Sequence, residues 1–282
     1  EISISTLAAR KKGLSPLDFT LMRQPHVLGL EYIIRAKGGT DMADIIQTNF
    51  KRYEKKYMLT REQQENLMKQ ILPYIKEDKF GRYTICNIYY DTEGWELIRQ
   101  SIQKPVYKEK LRVRSYGVPG DEDKAFIEIK KKYKGIVYKR RITAQAKDVE
   151  PILTGGSSFE IKKSDEQIRN EILWFQSFYR TQPRIFIGYD RQAFAGIQDS
   201  GLRITFDTNI RWRDEELDLR CGDYGQPVLP GEQVLMEIKM PGTCPLWLAH
   251  ILNDSSIYPT SFSKYGTCYK NFIISREGFL SA

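Results

Sequence analysis

Short segments in which apolar and polar residues alternate dominate the chain from about residue 50 onward. Alternation with a period of 2 is typical of β-strands that bury one face and expose the other. The pattern predicts eight strands, at residues 50–59, 83–91, 107–116, 125–133, 136–143, 184–194, 202–210 and 234–240. They belong to a single α+β domain.

Two segments between the strands carry helix start signals. Thr60 is followed three residues later by Gln63, and Ser164 is followed by Gln167. Both pairs resemble a capping box, and apolar residues with helical spacing come after each of them. We therefore expect two helices that pack against the sheet.

Charged residues concentrate on one face of the predicted strands. On the strand 107–116 every second residue is basic, at Lys108, Lys110, Arg112 and Arg114. Because side chains alternate between the two faces of a strand, all four share one face. The corresponding positions of the other strands are Arg52, Glu54, Lys56, Glu128, Lys130, Lys132, Lys139, Arg141, Arg203, Thr205, Asp207, Glu237 and Lys239.

This face is too basic for an ordinary solvated sheet surface, which would mix the two signs of charge more evenly. Two like charges about 7 Å apart repel by roughly 2 kcal/mol at an effective dielectric constant near 20. Such crowding favours a surface that binds a polyanion. If the sheet closes into a barrel, the basic face becomes a tunnel lined by cations, with the helices packed on the outside.

The composition limits the possible classes of function further. The chain has 282 residues and a formal net charge of +8, with four cysteines and two histidines. The cysteines lack metal-binding spacing, which argues against zinc and favours reduced thiols in a cytoplasmic protein. No apolar run is long enough for a transmembrane helix. Many aromatic residues fall on the apolar side of their strands, so nucleic-acid binding is not expected.

Eight motifs of the chain resemble those of a known family. The motifs are Lys51-Arg-Tyr-Glu-Lys-Lys-Tyr57, Lys110-Leu-Arg-Val-Arg114, Glu128-Ile-Lys130, Val137-Tyr-Lys-Arg-Arg141, Tyr189-Asp-Arg191, Arg203-Ile-Thr-Phe-Asp207, Met236-Glu-Ile-Lys239 and Ser261-Phe-Ser-Lys-Tyr-Gly266. In this order they resemble the VTC domain, the polyphosphate polymerase domain of the vacuolar transporter chaperone, which belongs to the triphosphate tunnel metalloenzymes. The resemblance implies that residues 48–275 form an eight-stranded antiparallel β-barrel around a cation-lined tunnel, with helices packed on the outside. It also implies an N-terminal extension of uncertain structure at 1–47 and a C-terminal tail at 276–282.

The resemblance also implies a set of site residues. The cations expected to bind phosphate are Lys56, Arg112, Arg114, Lys130, Lys139, Arg191, Arg203, Arg211, Lys239 and Lys264. Glu237 is expected to bind the catalytic Mn²⁺ or Mg²⁺, and Arg112, Arg114 and Lys130 to act with it in catalysis. The implied substrates are ATP and inorganic polyphosphate, and a membrane protein is a further implied partner.

The direction of the chemistry stays open at the level of sequence. Chain extension uses a phosphate oxygen that is already anionic, whereas hydrolysis needs a base that activates water. Neither histidine falls on a predicted strand, which favours a metal-dependent polyphosphate polymerase, although Glu54 or Glu128 could act as a base. The alternatives are a tripolyphosphatase or nucleoside triphosphatase on the same barrel, and a non-catalytic module that binds polyphosphate or phosphoinositides.

Overall fold

The computed structural model describes residues 53–134, 136–156, 163–199 and 201–276. The predicted N-terminal extension, the start of the predicted first strand and nearly all of the predicted tail lie outside these residues. The described residues belong to the unit Lys51–Ala282.

An antiparallel sheet forms the centre of this unit. Its strands are β1 (Tyr53–Leu59), β2 (Ile75–Asp91), β3 (Tyr107–Tyr116), β4 (Lys124–Tyr133), β5 (Ile136–Gln145), β6 (Gln182–Gly196), β7 (Arg203–Arg213), β8 (Gln226–Pro227) and β9 (Val234–Met240). The order across the sheet is β1-β9-β7-β6-β2-β3-β4-β5, and the short β8 pairs with β7. The eight predicted strands are all present, although β2 begins eight residues earlier than predicted and β8 was missed.

The prediction of a closed barrel is wrong. In the described part of the chain no strand pairing joins β1 to β5, so the sheet stays open at these two ends and does not form a cation-lined tunnel. Closure depends on pairing between strands that are distant in sequence, and the alternation within each strand carries no information about it.

The sheet is nevertheless strongly curled. β1 and β4 are six strand intervals apart, which in a flat sheet would separate them by roughly 29 Å. Burial raises the pKa of Glu54 on β1, but Lys239, Lys56 and Lys130 together lower it below its ordinary value. An influence of Lys130 on β4 requires the two strands to approach each other across the basic side, because Coulomb interactions fall off with distance. The basic face is therefore concave.

Helices fill the connections between the strands. They are α1 (Arg61–Ile71), α2 (Glu96–Ile102), α3 (Val149–Leu153), α4 (Glu166–Tyr179), α5 (Leu246–Asp254), α6 (Lys264–Cys268) and α7 (Ile274–Arg276), with a π-helical turn at Tyr269–Ile273. The capping box of Thr60 and Gln63 is confirmed. The second capping prediction is wrong, because Asp165 rather than Ser164 precedes α4 and its side chain makes no capping hydrogen bond. None of the helices in the described ranges is both long and apolar enough to cross a membrane.

The convex face of the sheet is covered by helices, as predicted. One apolar cluster joins Leu111 of β3 and Ile127 of β4 to Phe175 of α4. A second joins Phe206 of β7 to Leu67 of α1 and to α5. Removing this surface from water supplies the main stabilisation of the sheet.

One end of the concave face is also closed. Ile187 and Trp212 of the sheet pack there against Trp95 and against Tyr265 and Tyr269 of the C-terminal helices. This packing fills the end where β1 finishes and β9 begins. It leaves the opposite end, where β3 finishes and β4 begins, as the open mouth of the concave face.

Candidate functional site

The concave face brings together all but one of the predicted site residues. The strand register places Lys56 opposite Glu237, Arg203 opposite Lys239, Arg112 opposite Glu128 and Lys130 opposite Lys139. Arg114, Arg191 and Lys264 join the same face through contacts described below. The alternation along the strands therefore predicted correctly which residues form most of this surface.

A buried cluster of two carboxylates and two cations lies on this face, and we call it the inner cluster. It consists of Arg191, Asp207, Glu237 and Lys264. The guanidinium of Arg191 forms a fork on Asp207, with Nε 2.6 Å from Oδ1 and Nη2 2.7 Å from Oδ2. Its Nη2 also lies 3.3 Å from Oε2 of Glu237. From α6, Nζ of Lys264 reaches Asp207 at 2.6 Å and Glu237 at 3.5 Å.

The electrostatics of the inner cluster favour its charged form. Burial alone would raise the pKa of Glu237, but Lys264, Lys56, Arg191 and Lys239 outweigh it and hold the pKa well below its ordinary value. Burial would likewise lower the pKa of Lys264, yet Asp207 and Glu237 raise it. Both groups therefore stay ionised at neutral pH.

A looser group of charges continues from the inner cluster along β1 and β9. Nζ of Lys56 lies 3.2 Å from Oε1 of Glu237 and 3.6 Å from Oε1 of Glu54. Lys239 lies 3.8 Å from the second oxygen of Glu54. These three side chains are about one quarter to one third exposed, so solvent screens their interactions more than those of the inner cluster.

The second charged cluster is centred on Glu128. Nε and Nη2 of Arg112 lie 2.8 and 2.7 Å from one oxygen of Glu128, and Arg114 lies 3.9 Å from the same atom. Lys139 pairs with the other carboxylate oxygen. Burial raises the pKa of Glu128, but these three cations lower it to about 2.

Neutral side chains hold the two arginines of this cluster in place. Nη1 of Arg112 donates to the hydroxyl of Tyr89 at 3.2 Å, and Nε of Arg114 donates to Oδ1 of Asn87 at 2.9 Å. Asn87 is fixed in turn by its donation to the carbonyl of Ile187. These positioning residues were not predicted from the sequence, although the alternation of β2 places Asn87 and Tyr89 together on one face.

Replacing Glu128 by Gln is expected to destabilise the fold by about 3 kcal/mol at pH 7, because a buried carboxylate that holds three cations would be lost. The pKa of Glu128 is depressed, so its contribution is complete above the ordinary value of 4.5 and is lost as the pH falls towards 2. Urea unfolding at pH 7 and pH 3 measures this. The exposed Glu122→Gln is the matched control, and equal stability of E128Q and wild type at pH 7 would contradict the expectation.

Arg211 lies on the other face of the sheet, so its predicted place among the phosphate-binding cations is wrong. The register between β6 and β7 shifts between Gly188 and Asp190, and Asn209 of β7 has a φ of 50°. One extra residue at a bulge reverses the face of every residue that follows. Arg211 instead binds Asp190 and Asp223, at 3.2 and 2.6 Å.

Two further cations mark the ends of the concave face. Arg203 lies towards the open mouth, where it pairs with Asp78 at 3.3 Å and is half exposed. Lys110 lies towards the closed end, with Nζ 5.4 Å from the centre of the Tyr265 ring. Among the described residues Lys110 forms no ion pair, and burial lowers its pKa to about 8. The alternation of β3 predicted that Lys110 lies on this face, but no role was predicted for it.

Whether a divalent cation fits the concave face depends on the ligand atoms that the face offers. The described residues contain no group of three or more His, Cys, Asp or Glu side chains positioned to hold a metal. Both oxygens of Glu237 already contact cations. The buried hydroxyl of Thr205, opposite Glu237, has no hydrogen-bond partner within the described ranges. These donors suit a divalent cation that is also coordinated by phosphate oxygens of the substrate. They do not suit a cation that the protein alone would have to hold.

Comparison with known proteins agrees with the motifs. The chain is 23% identical over 278 residues to subunit 4 of the vacuolar transporter chaperone complex of Schizosaccharomyces pombe. The match includes 82% of this chain and 38% of that subunit, so the chain spans less than half of its relative.

Two solved structures match the chain with low similarity. A candidate adenylate cyclase from Bacillus halodurans matches with a TM-score of 0.46 and 16% identity, over 78% of this chain and 96% of that one. A candidate adenylyl cyclase from Hippeastrum, for which a dominant triphosphatase activity is described, matches with a TM-score of 0.45 and 16% identity, over 80% and 95% of the two chains.

The family model of the VTC domain matches residues 51–273, which is most of the chain. This range contains every described strand and nearly all of the described helices. The chain therefore belongs to the VTC domain family.

Proposed function

We propose that this protein is a metal-dependent polyphosphate polymerase that transfers the terminal phosphate of ATP to a growing polyphosphate chain on the concave face. The observation that carries the proposal is the pairing of Arg112, Arg114 and Lys139 around one carboxylate, beside a second such cluster at Glu237. Membership of the VTC domain family and similarity to a vacuolar transporter chaperone subunit support it.

The cations are preorganised for phosphate in the free protein. Glu128 and Glu237 hold them at fixed positions, so a phosphate chain meets cations that need little reordering. Planar guanidinium groups suit the paired oxygens of phosphate, and the lysines add point charges between them. Lys110 lacks an ion-pair partner in the described part of the chain, so it offers its charge directly to the ligand.

The titration behaviour of the carboxylates supports transfer to phosphate rather than to water. A general base works best with a pKa near the working pH. The pKa of Glu128 is about 2, and those of Glu54 and Glu237 are also lowered by the surrounding cations. These groups are weak bases for activating water, whereas a terminal phosphate oxygen is already anionic and mainly needs placement and charge neutralisation.

Mn²⁺ or Mg²⁺ is proposed to bind together with the substrate. Glu237 would be its carboxylate ligand, with the Thr205 hydroxyl nearby and phosphate oxygens completing the coordination. A bound divalent cation would neutralise charge on the transferring phosphate. The protein groups orient the chain: Arg112 and Arg114 hold it from β3, and Lys264 holds it from α6.

The proposal is tested by incubating the purified protein with ATP and Mn²⁺ and separating the products on a gel stained for polyphosphate. We expect a ladder of chains that lengthens with time. Release of phosphate without chain formation would indicate a triphosphatase and not a polymerase. Tight metal-independent binding of polyphosphate with no turnover would indicate a non-catalytic module.

Affinity for polyphosphate is expected to fall as the pH rises through about 8. Burial lowers the pKa of Lys110 to about 8, so this ammonium loses its charge above that pH. The pKa of Tyr89 is also lowered to about 8, since Arg112 and Lys110 outweigh the effect of burial, and its ionisation adds a negative charge. Both changes weaken anion binding.

This pH dependence can be measured by titration calorimetry with tripolyphosphate from pH 6.5 to 9.5. Lys110→Arg keeps its charge over this range and should flatten the profile, whereas the exposed Lys76→Arg should leave it unchanged. Wild-type affinity that stays constant up to pH 9.5 would contradict the role given to Lys110.

Two wider proposals concern the setting of the reaction. The similar fission yeast protein is a subunit of a complex, so a partner that receives the chain, such as a membrane protein, is proposed for this protein as well. A cytoplasmic location remains a prediction from the cysteine content.

A further inference from the structure

Four aromatic rings line the open mouth of the concave face, and we call them the aromatic lip. Phe80 and Tyr83 come from β2, Tyr116 ends β3 and Phe126 lies near the start of β4. Neighbouring rings contact each other edge to face, with centroids 6.1, 5.9 and 5.7 Å apart along the row. These contacts fix the orientation of the rings.

The aromatic lip differs from the other aromatic groups of this face because it is open to solvent. Phe80 is 65% exposed and Tyr116 is 53% exposed, whereas Tyr265 at the closed end is 2% exposed. The guanidinium of Arg141 also lies 4.9 Å from the centre of the Phe126 ring. The mouth thus presents exposed ring surface beside a cation, which suits a planar ligand.

The aromatic lip is continuous with the cations of the concave face. Tyr83 lies directly opposite Arg191 in the register of β2 and β6. Tyr116 follows Arg114 and Arg112 by two and four residues on the same face of β3, which corresponds to roughly 7 and 13 Å along the strand. A ligand with a planar group on Tyr116 could therefore place an attached phosphate chain on the two arginines.

We propose that the aromatic lip, with Tyr116 at its centre, is the subsite that binds the base of a nucleoside triphosphate by stacking. This role rests on the proposed function, in which the nucleoside triphosphate is the phosphate donor. The charges favour this occupant, since an apolar partner would gain nothing from Arg141, Arg191 and Arg203 beside the rings. Stacking on an aromatic face is tolerant of base identity, so ATP and GTP should both bind.

The test compares two ligands that share a triphosphate and differ in the base. Affinities of a non-hydrolysable β,γ-imido ATP and of tripolyphosphate are measured by calorimetry, with the same Mg²⁺ concentration and the full chain. Tyr116→Ala is expected to weaken binding of the nucleotide about 10-fold and to change tripolyphosphate binding less than twofold. Tyr116→Phe keeps the ring and should retain nucleotide affinity.

Tyr258→Ala is the matched control, because Tyr258 is 66% exposed and lies in the connection between α5 and α6, not on a strand of the sheet. An equal loss of affinity for both ligands in Tyr116→Ala, or an unchanged affinity for the nucleotide, would show that the aromatic lip does not bind the base. The readout is binding, so it is separate from turnover. A protein that makes no polyphosphate but shows the selective loss would refute the proposed polymerase and leave the subsite standing.

Discussion

Replacing Glu237 by Gln is expected to lower the rate of phosphoryl transfer by at least about 100-fold. Its carboxylate contacts Lys56, Arg191 and Lys264 at 3.2–3.5 Å and is the proposed protein ligand of the divalent cation. A neutral amide is a weaker metal ligand and leaves three neighbouring cations less well compensated. Initial rates of polyphosphate formation, measured over a range of Mn²⁺ concentrations, check this.

The variant must be distinguished from one that has merely lost stability. Its thermal unfolding is measured with and without tripolyphosphate, and rates are taken well below the transition. Glu232→Gln, at an exposed position that pairs with Arg61, is the matched control and should retain full activity. Near wild-type turnover of folded E237Q would show that Glu237 does not take part in the reaction.

Replacing Arg112 by Lys is expected to reduce turnover about 10- to 100-fold, although the charge is kept. Arg112 uses Nε and Nη2 on Glu128 and Nη1 on Tyr89, a planar arrangement that an ammonium group cannot reproduce. Charge-assisted hydrogen bonds contribute about 1.5–3 kcal/mol each, and about 1.4 kcal/mol corresponds to a factor of ten in rate.

Steady-state kinetics with ATP test this prediction. Arg61→Lys, on the outer helix α1, is the control for the chemical change from Arg to Lys. If R112K matched wild type in both kcat and KM, binding and transfer of phosphate would not depend on the planar geometry of Arg112. Loss of stability without loss of activity would assign Arg112 a purely structural role.

The position of the concave face could be predicted from the sequence because alternation within a strand is a local property. Lys110, Arg112 and Arg114 share a face in any straight β-strand, and the apolar residues between them pack under α4 as the pattern requires. The same reasoning located Lys56, Lys130 and Glu237. The capping box at Thr60 was equally local and equally predictable.

Features that depend on distant or irregular contacts could not be predicted in this way. Strand pairing decides whether a barrel closes, and the bulge at Asn209 moves Arg211 to the opposite face. The sequence places Asp207 on the basic face, but its fork with Arg191 and its contact with Lys264 appear only when β6, β7 and α6 come together. Lys264 itself was suggested by the family resemblance alone.

The fate of the terminal phosphate of ATP distinguishes a polyphosphate polymerase from a hydrolase. Purified protein is incubated with ATP labelled in its γ-phosphate, and the label is divided between acid-insoluble polyphosphate and free phosphate. We expect most of the label in polyphosphate, with little in free phosphate, because the carboxylates beside the cations are weak bases. Label released mainly as free phosphate, with no chain at any divalent cation concentration, would rule out a polyphosphate polymerase.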